Sequence, residues 1–408
     1  MFLDISAENF RSIKELQTLS FEATKDRHLD DYFVVEMGGY RILKMVSILG
    51  ANASGKSNLI RIFSLLRKLV LEPCSTKTEP IDFDPFALDD EWKNRDTVIK
   101  ANFICGERKY SYDITLNNRF IRSEQLRCQP FGAKKDHLVY ERSTDEEGAV
   151  SIIKWGEKYA SSETRKLQYN LLPNVTVFGS FLRSNVDLPW MAEIIMWFDG
   201  AMMPNVLPSS DLTDYTTERI SDNTIEKANV VELLHKADIG VDDLVIKKET
   251  KEAPQQVVQL VHGSHVMDFD NESKGTQRYY GLSSILLHLI QKECFVAIDE
   301  LEYRLHPDLY QHFIHTFLTN AGNSQLVFTT HNREFLNDRD EFRDDSVYFS
   351  EKSDDGATSL YSLVDFDSST IRDTTNRLNA YKAGRLGAIP RLGNTAISFL
   401  INHDAAHE

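Results

Sequence analysis

Cysteine, basic charge and long apolar runs are all scarce in this chain of 408 residues, and each shortage excludes something. The four cysteines, Cys74, Cys105, Cys128 and Cys294, form no C-x-x-C pair, so neither a disulfide framework nor a zinc site is indicated. They read as reduced core or surface thiols. No apolar run approaches the ~20 residues of a membrane span. The opening Met1-Phe2-Leu3-Asp4-Ile5-Ser6 lacks the basic start of a secretory signal, so a cytoplasmic location without a membrane partner is expected. Lys and Arg number 46 against 62 Asp and Glu, a net charge of −16. Such a surface opposes non-specific binding to a nucleic-acid backbone, which needs a concentrated basic face. Contact with DNA or RNA then has to be local, nucleotide-dependent or delegated to a partner, and the charge leaves that question open. Heptad arrays, internal repeats and low-complexity tracts are also missing. What is there, 41% hydrophobic and 26% charged residues, suits a soluble globular protein of one large or two ordinary domains.

One stretch organises the rest. Gly50-Ala51-Asn52-Ala53-Ser54-Gly55-Lys56-Ser57 is a complete G-x-x-x-x-G-K-S phosphate loop. The apolar run Met45-Val46-Ser47-Ile48-Leu49 predicts a buried strand before it, and Asn58 to Leu66 has helical periodicity after it. Gly50 and Gly55 let the backbone wrap a polyphosphate, with successive N–H groups and a helix N-terminus aimed at the anion. Lys56 is positioned to reach the β- and γ-phosphates, and the Ser57 hydroxyl to ligate Mg²⁺. ATP and Mg²⁺ are therefore the expected cofactors, with Gly50, Asn52, Ser54, Gly55, Lys56, Ser57 and Asn58 as nucleotide contacts.

Around this loop the pattern predicts strands at Phe2 to Ala7, Gln17 to Glu22 and Tyr40 to Leu49, separated by Glu8-Asn9-Phe10-Arg11-Ser12-Ile13. From Pro73 to Pro130, short β-like runs such as Thr97 to Phe103 and Lys109 to Leu116 dominate, and Leu138 to Glu141 and Ser151 to Trp155 continue them. Val175 to Leu182 reads as a return to the core. Trp190 to Phe198 and Thr224 to Ala237 have helical spacing. Further on come a β run at Gln256 to Val261, the stretch Asn271-Glu272-Ser273-Lys274-Gly275-Thr276-Gln277-Arg278, and an amphipathic segment from Tyr279 to Ile290. The apolar strand Cys294 to Ile298 ends in Asp299-Glu300. Leu309 to Leu318 is helical, and the buried strand Gln325 to Thr330 ends at His331.

Taken in this order, these elements resemble the ABC-class AAA-type ATPases, and within them the overcoming-lysogenisation-defect-like, abortive-infection group of phage-defence proteins. The resemblance covers nearly the whole chain. It implies that Asp299 is the Walker B acid holding the Mg²⁺ shell with Ser57. Glu300 becomes the acid that orients and deprotonates the attacking water, and His331 the switch histidine at the γ-phosphate. Lys56, Glu300 and His331 are the implied catalytic residues. Glu272 to Thr276 resembles the signature loop in an S-x-G-T form, which assigns Ser273, Gly275 and Thr276 to a nucleotide; a plain helix cap is the other reading of the same residues. The N-F-R-S-like turn brings Arg11 either near the nucleotide or onto the ordinary surface. His306 reads as structural or as part of a loop facing a second copy, and Gln125 and Gln129 are the candidates for the glutamine linking Mg²⁺ to the insertion. Asp365-Phe366-Asp367 looks like the D-x-D pair of a Toprim nuclease, but too little chain follows His331 for that domain. Tyr381 to Pro390 resembles the tail of ATPases that work with a separate effector, and is expected to dock on the insertion or on that effector.

The fold class expected is thus α/β: an ABC-type ATPase head with a mixed sheet, an antiparallel insertion and a helical subdomain. Residues 1–72 and 239–408 form the head and 73–238 the insertion. The resemblance implies ATP hydrolysis by a head-to-tail homodimer or higher oligomer. Its implied partners are a separately encoded nuclease or toxin as effector and a phage-derived trigger. A DNA-repair or recombination ATPase acting at DNA ends is the alternative.

Overall fold

Strand Met45–Gly50 is buried at all its positions, as a strand must be when it has neighbours on both edges and layers on both faces. In the computed structural model, which describes residues 1–247, 256–337, 339–367 and 376–390, it is the middle strand of a five-stranded sheet. The order is Phe295–Ile298, Gln325–Thr330, Met45–Gly50, Val347–Lys352, Thr358–Ser362. The first four strands run parallel and the last antiparallel, so the sheet is mixed, as expected. The phosphate loop, Asp299-Glu300 and His331 all follow the C-terminal ends of parallel strands, where open α/β sheets place their ligands. The free edge beyond Phe295–Ile298 is covered by the 202–206 segment, whose Met203 and Val206 N–H groups donate to Phe295 and Ala297 carbonyls.

The predicted strand Tyr40 to Leu49 divides in two. Tyr40–Leu43 pairs with Val34–Met37, and Met45–Gly50 enters the head sheet. Lys44 makes the break. Its buried ammonium donates to the Leu318 and Ala321 carbonyls at 2.9 and 3.0 Å, at the end of helix Pro307–Asn320, where the helix dipole favours a cation.

A second, seven-stranded antiparallel sheet runs Ser151–Trp155, His137–Thr144, Ile121–Pro130, Arg108–Leu116, Thr97–Cys105, Phe2–Glu8, Gln17–Ser20. Five strands come from after the phosphate loop and two from before it, so this sheet spans residue 72. Helix Lys56–Leu71 lies between the two sheets, and an aromatic cluster joins the three layers. Phe63 meets Phe2 at 5.3 Å and Phe295 at 4.5 Å, and Phe103 stacks on Trp197 at 4.7 Å. The helices Thr213–Ser221 and Thr224–Lys236 pack on the long helix Lys274–Gln291. Val177–Leu182 is a short helix in the core. Cys105, Cys128 and Cys294 are buried free thiols, and burial pushes Cys105 and Cys294 up to about 11.

The described tail does not lie on the insertion. Tyr381, on helix Arg377–Lys382, stacks on Phe349 of the head sheet at 5.8 Å and donates its hydroxyl to the Ala388 carbonyl at 2.9 Å. Tyr361 of the last strand donates to the Leu386 carbonyl at 2.9 Å. Asp365 accepts the Ser362 N–H at 2.7 Å in a capping box, a structural use of that carboxylate. Among the described residues no helix is long and apolar enough to cross a membrane.

Candidate functional site

The phosphate loop is shaped by close backbone approach. Gly55 has φ 104°, and a Cβ there would stand 2.0 Å from Thr358 Oγ1 and 2.8 Å from Ser12 Oγ. At Gly50 a Cβ would lie 2.4 Å from the Ser350 carbonyl oxygen. A chain of hydroxyls clamps the loop from the far side. Asn58 Nδ2 donates to Ser12 Oγ at 2.7 Å, Ser12 Oγ and Thr358 Oγ1 are 2.7 Å apart, and Thr358 Oγ1 lies 2.9 Å from the Ser54 carbonyl. Ser350 Oγ donates to the same carbonyl at 3.0 Å. On its open side the loop lines a cleft of about 390 Å³.

Lys56 is buried in the loop, its ammonium donating to the Gly50 and Ala51 carbonyls at 2.9 and 3.0 Å. Burial lowers its pKa from 10.5 to about 8, against the opposing pull of Asp299, Glu300 and Glu302. Its third contact is His331 Nδ1 at 3.3 Å. An ammonium only donates, so Nδ1 must accept, which leaves the Nε2–H to face Glu300 Oε1 at 3.4 Å. The three implied catalytic residues are therefore linked side chain to side chain. Thr329 fixes the acid pair from below: its hydroxyl donates to Asp299 Oδ1 at 2.6 Å and accepts the Glu300 N–H at 2.8 Å. Glu300 has φ 49°, a strained backbone of the kind that collects at functional sites. Glu302 accepts the His331 N–H.

Asn52, Ser54, Gly55, Lys56, Ser57, Asn58, Glu300 and His331 line this one cleft. Gly50 and Asp299 stand behind it, one accepting from Lys56 and the other held by Thr329. Ser273, Gly275 and Thr276 line none of it. Ser273 caps helix Lys274–Gln291, its Oγ accepting the Thr276 N–H at 3.0 Å, and a Cβ at Gly275 would lie 3.1 Å from the Arg304 carbonyl oxygen. Arg11 takes the surface reading: it pairs with Asp84 at 3.0 Å and lines a separate cavity with Arg61 and Lys68. Its neighbour Ser12 lines the cleft instead. His306 caps helix Pro307–Asn320, accepting the Asp308 N–H at 3.3 Å, a structural use within one chain, and among the described residues no group of three or more His, Cys, Asp or Glu is placed to hold a metal ion. Gln125 and Gln129 lie in the seven-stranded sheet and neither lines the cleft.

Sequence reasoning missed Ser12, Thr329, Ser350, Lys352 and Thr358. Lys352 adds an exposed cation to the cleft lining from the end of its strand. Only Ser12 had a signal, its place in the N-F-R-S turn.

The residues present fit a Mg²⁺-bound polyphosphate. Two glycines keep the cradle free of side chains, and Ser54 Oγ is buried without a partner. Ser57 and Asp299 supply the hard oxygen donors that Mg²⁺ takes.

Similar solved structures include an Smc head bound to the C-winged helix domain of ScpA (12% identity, TM-score 0.46, covering 88% of this chain and 97% of that one). The SMC head domain from Thermotoga maritima (12%, 0.44, 88% and 98%) is another. A third is the Pyrococcus furiosus Smc head domain with an extended coiled coil, bound to the C-terminal domain of ScpA (12%, 0.45, 88% and 96%). No curated protein matches the sequence. Residues 45–337, from the strand before the phosphate loop to past His331, match one family, and the chain belongs to that family, the AAA domain described as putative AbiEii toxin, type IV toxin–antitoxin system.

Proposed function

We propose that this protein binds and hydrolyses ATP at the phosphate-loop cleft, as the ATPase subunit of a defence system that controls a separate toxic effector. The observation that carries the chemistry is the linked set Lys56, His331 and Glu300 on one cleft wall, with Thr329 fixing Asp299 and Glu300. Mg²⁺ held by Ser57 and Asp299 would supply charge neutralisation at the phosphates. The chain's own groups do the rest. The loop N–H groups and Lys56 bind and orient the phosphates, Glu300 accepts a proton from the attacking water, and the His331 Nε2–H side turns towards the charge that develops on the γ-phosphate. Ser273, Gly275 and Thr276 lie outside the cleft, which supports a site completed by a second copy in head-to-tail pairing. The defence role is supported by the family's description as a putative AbiEii toxin of a type IV toxin–antitoxin system.

Steady-state phosphate release from Mg²⁺-ATP tests the reading. Lys56→Ala should lose ATP binding, and Glu300→Gln should keep binding while turnover falls by about 10²-fold or more. A folded Lys56→Ala variant that binds ATP as tightly as its parent sinks the site assignment, and unchanged turnover in Glu300→Gln removes the role of that carboxylate.

A further inference from the structure

A second cavity, of about 650 Å³, opens between the 208–214 segment, the first two turns of helix Lys274–Gln291, and the turn at Tyr303 and Arg304. It shares no lining residue with the phosphate-loop cleft. Its centre of interest is Arg278, which is 7% exposed. One guanidinium nitrogen, Nη1, reaches the Ser210 carbonyl at a long 3.5 Å, and Nε and Nη2 have no hydrogen-bond partner. No carboxylate pairs with Arg278 among the described residues. Burial draws its pKa down, and the Arg304 charge adds to that.

An unpaired guanidinium at this depth does not serve the fold, because a well-packed apolar side chain of similar reach would avoid the desolvation penalty. Two further cations share the lining, and none of the carboxylates on it pairs with Arg278. Arg304 lies over the Tyr303 ring at 4.9 Å and Arg278 over the same ring at 6.0 Å, so one aromatic ring is shared by two like charges. Lys274 joins them on the lining, at the N-terminus of an 18-residue helix whose dipole has the same sign. In a chain of net charge −16 such a grouping calls for an anion from outside. The lining also carries Asp211, Asp214 and Asp270, of which Asp211 already accepts the Thr213 N–H at 2.9 Å. These carboxylates weaken the attraction for a bare inorganic anion. They favour a ligand with hydroxyl or amino donors set apart from its anionic end, and the volume lies within the usual range for small-molecule sites.

We propose that this cavity binds an organic phosphate bearing hydroxyl or amino donors, the chemistry shared by nucleoside monophosphates and sugar phosphates, with its phosphate on Arg278, Arg304 and Lys274. The proposal is independent of hydrolysis at the phosphate loop.

Isothermal titration of the full chain with AMP, ribose 5-phosphate, adenosine and inorganic phosphate tests it. AMP, ribose 5-phosphate or both should bind with Kd at or below about 1 mM, adenosine should not, and inorganic phosphate should bind at least about tenfold more weakly. Tighter binding of AMP assigns the site to nucleotides, and equal or tighter binding of ribose 5-phosphate assigns it to sugar phosphates. Arg278→Met and Arg304→Gln should each weaken the bound probe at least about tenfold. Lys56→Ala should leave it unchanged, since neither probe carries the β- and γ-phosphates that Lys56 would meet. Without any probe, Arg278→Met should melt no lower than its parent, which a structural arginine would not allow. If that variant does not fold, Arg304→Gln at an exposed position carries the test. Absence of binding by both organic phosphates overturns the proposal. So does inorganic phosphate binding as tightly as they do, or binding lost in Lys56→Ala but kept in Arg278→Met. Weakened self-association of Arg278→Met, with neither probe binding, gives the cavity to a protein contact and overturns it too.

Discussion

Nucleotide binding should take up a proton, because Lys56 is held in the free protein with a pKa of about 8 rather than 10.5. The lowered value comes from burial, which penalises the ammonium, and a polyphosphate beside Lys56 restores a counter-charge and with it the ordinary value. The sign follows from the direction of the shift. Between pH 8 and 10.5 the free site is mainly neutral and the loaded site charged, so binding draws a proton from solution. At pH 8.5 about a quarter of free chains carry the proton against nearly all loaded ones, an uptake of about 0.75; at pH 7.0 the uptake is only about 0.1. The association constant should accordingly fall about tenfold between pH 7 and pH 9. Titration calorimetry with a non-hydrolysable ATP analogue, in two buffers of different ionisation heat, reads the proton count directly. Lys56→Arg supplies the control, since a guanidinium stays charged throughout and should show no uptake at pH 8.5. Tight binding at pH 8.5 with no proton taken up, or the same uptake in Lys56→Arg, would refute the placement of the nucleotide phosphates on Lys56.

The parts of this site that could be read in the sequence are those whose chemistry needs contiguous residues. A phosphate loop must contain its glycines, lysine and serine within one turn of chain, and strand and helix periodicity on either side give its setting, so Gly50 to Asn58 could be placed before any fold was known. Asp299-Glu300 and His331 were legible for a similar reason, each closing a short apolar run that had to be a buried strand. The supporting contacts were not legible, because they join distant segments. Thr358 and Ser12, 346 positions apart, meet only when the last strand of the head sheet folds over the loop, and neither has a local pattern. Thr329 looks like any β-branched residue of a buried strand until the Asp299 strand is laid beside it. The N-F-R-S turn shows the limit from the other side. The turn was found, but Asp84 draws Arg11 away and leaves Ser12 in the cleft, a choice set by one partner 73 residues on, 84 against 11. Lys44 likewise broke a predicted strand because its anchor is the end of a helix more than 270 residues later. At Ser273 the cap reading is met within one chain, whereas the signature reading concerns a contact between two chains.

Two further predictions concern the acid pair and that second contact. Thr329→Val removes one hydroxyl that donates to buried Asp299 and accepts from Glu300, so it should destabilise the protein by about 2–3 kcal/mol and slow hydrolysis, whereas Thr329→Ser should do neither. Denaturant midpoints of the two variants check this, and equal midpoints remove Thr329 from the account. The remaining prediction separates a helix cap from a site shared between chains. Asp is as good an N-cap as Ser, so Ser273→Asp should keep the bond from the Thr276 N–H and leave stability unchanged. If Ser273 only caps its helix, hydrolysis is unchanged too. If it faces the γ-phosphate bound on a second copy, the new carboxylate repels that phosphate, and ATP-driven pairing and turnover fall while a single chain still binds nucleotide. Mixing Ser273→Asp with Lys56→Ala chains then tests the geometry. In head-to-tail pairing a mixed pair has one site with both lesions and one with neither. With random pairing half the pairs are mixed and half their sites intact, so about a quarter of the parental activity should return from two inactive variants. Were loop and signature of one chain to meet each other, every site would carry a lesion and mixing would restore nothing. Full activity of Ser273→Asp alone would leave Ser273 as a cap, and no recovery despite demonstrated mixed pairs would rule out a site built from two chains.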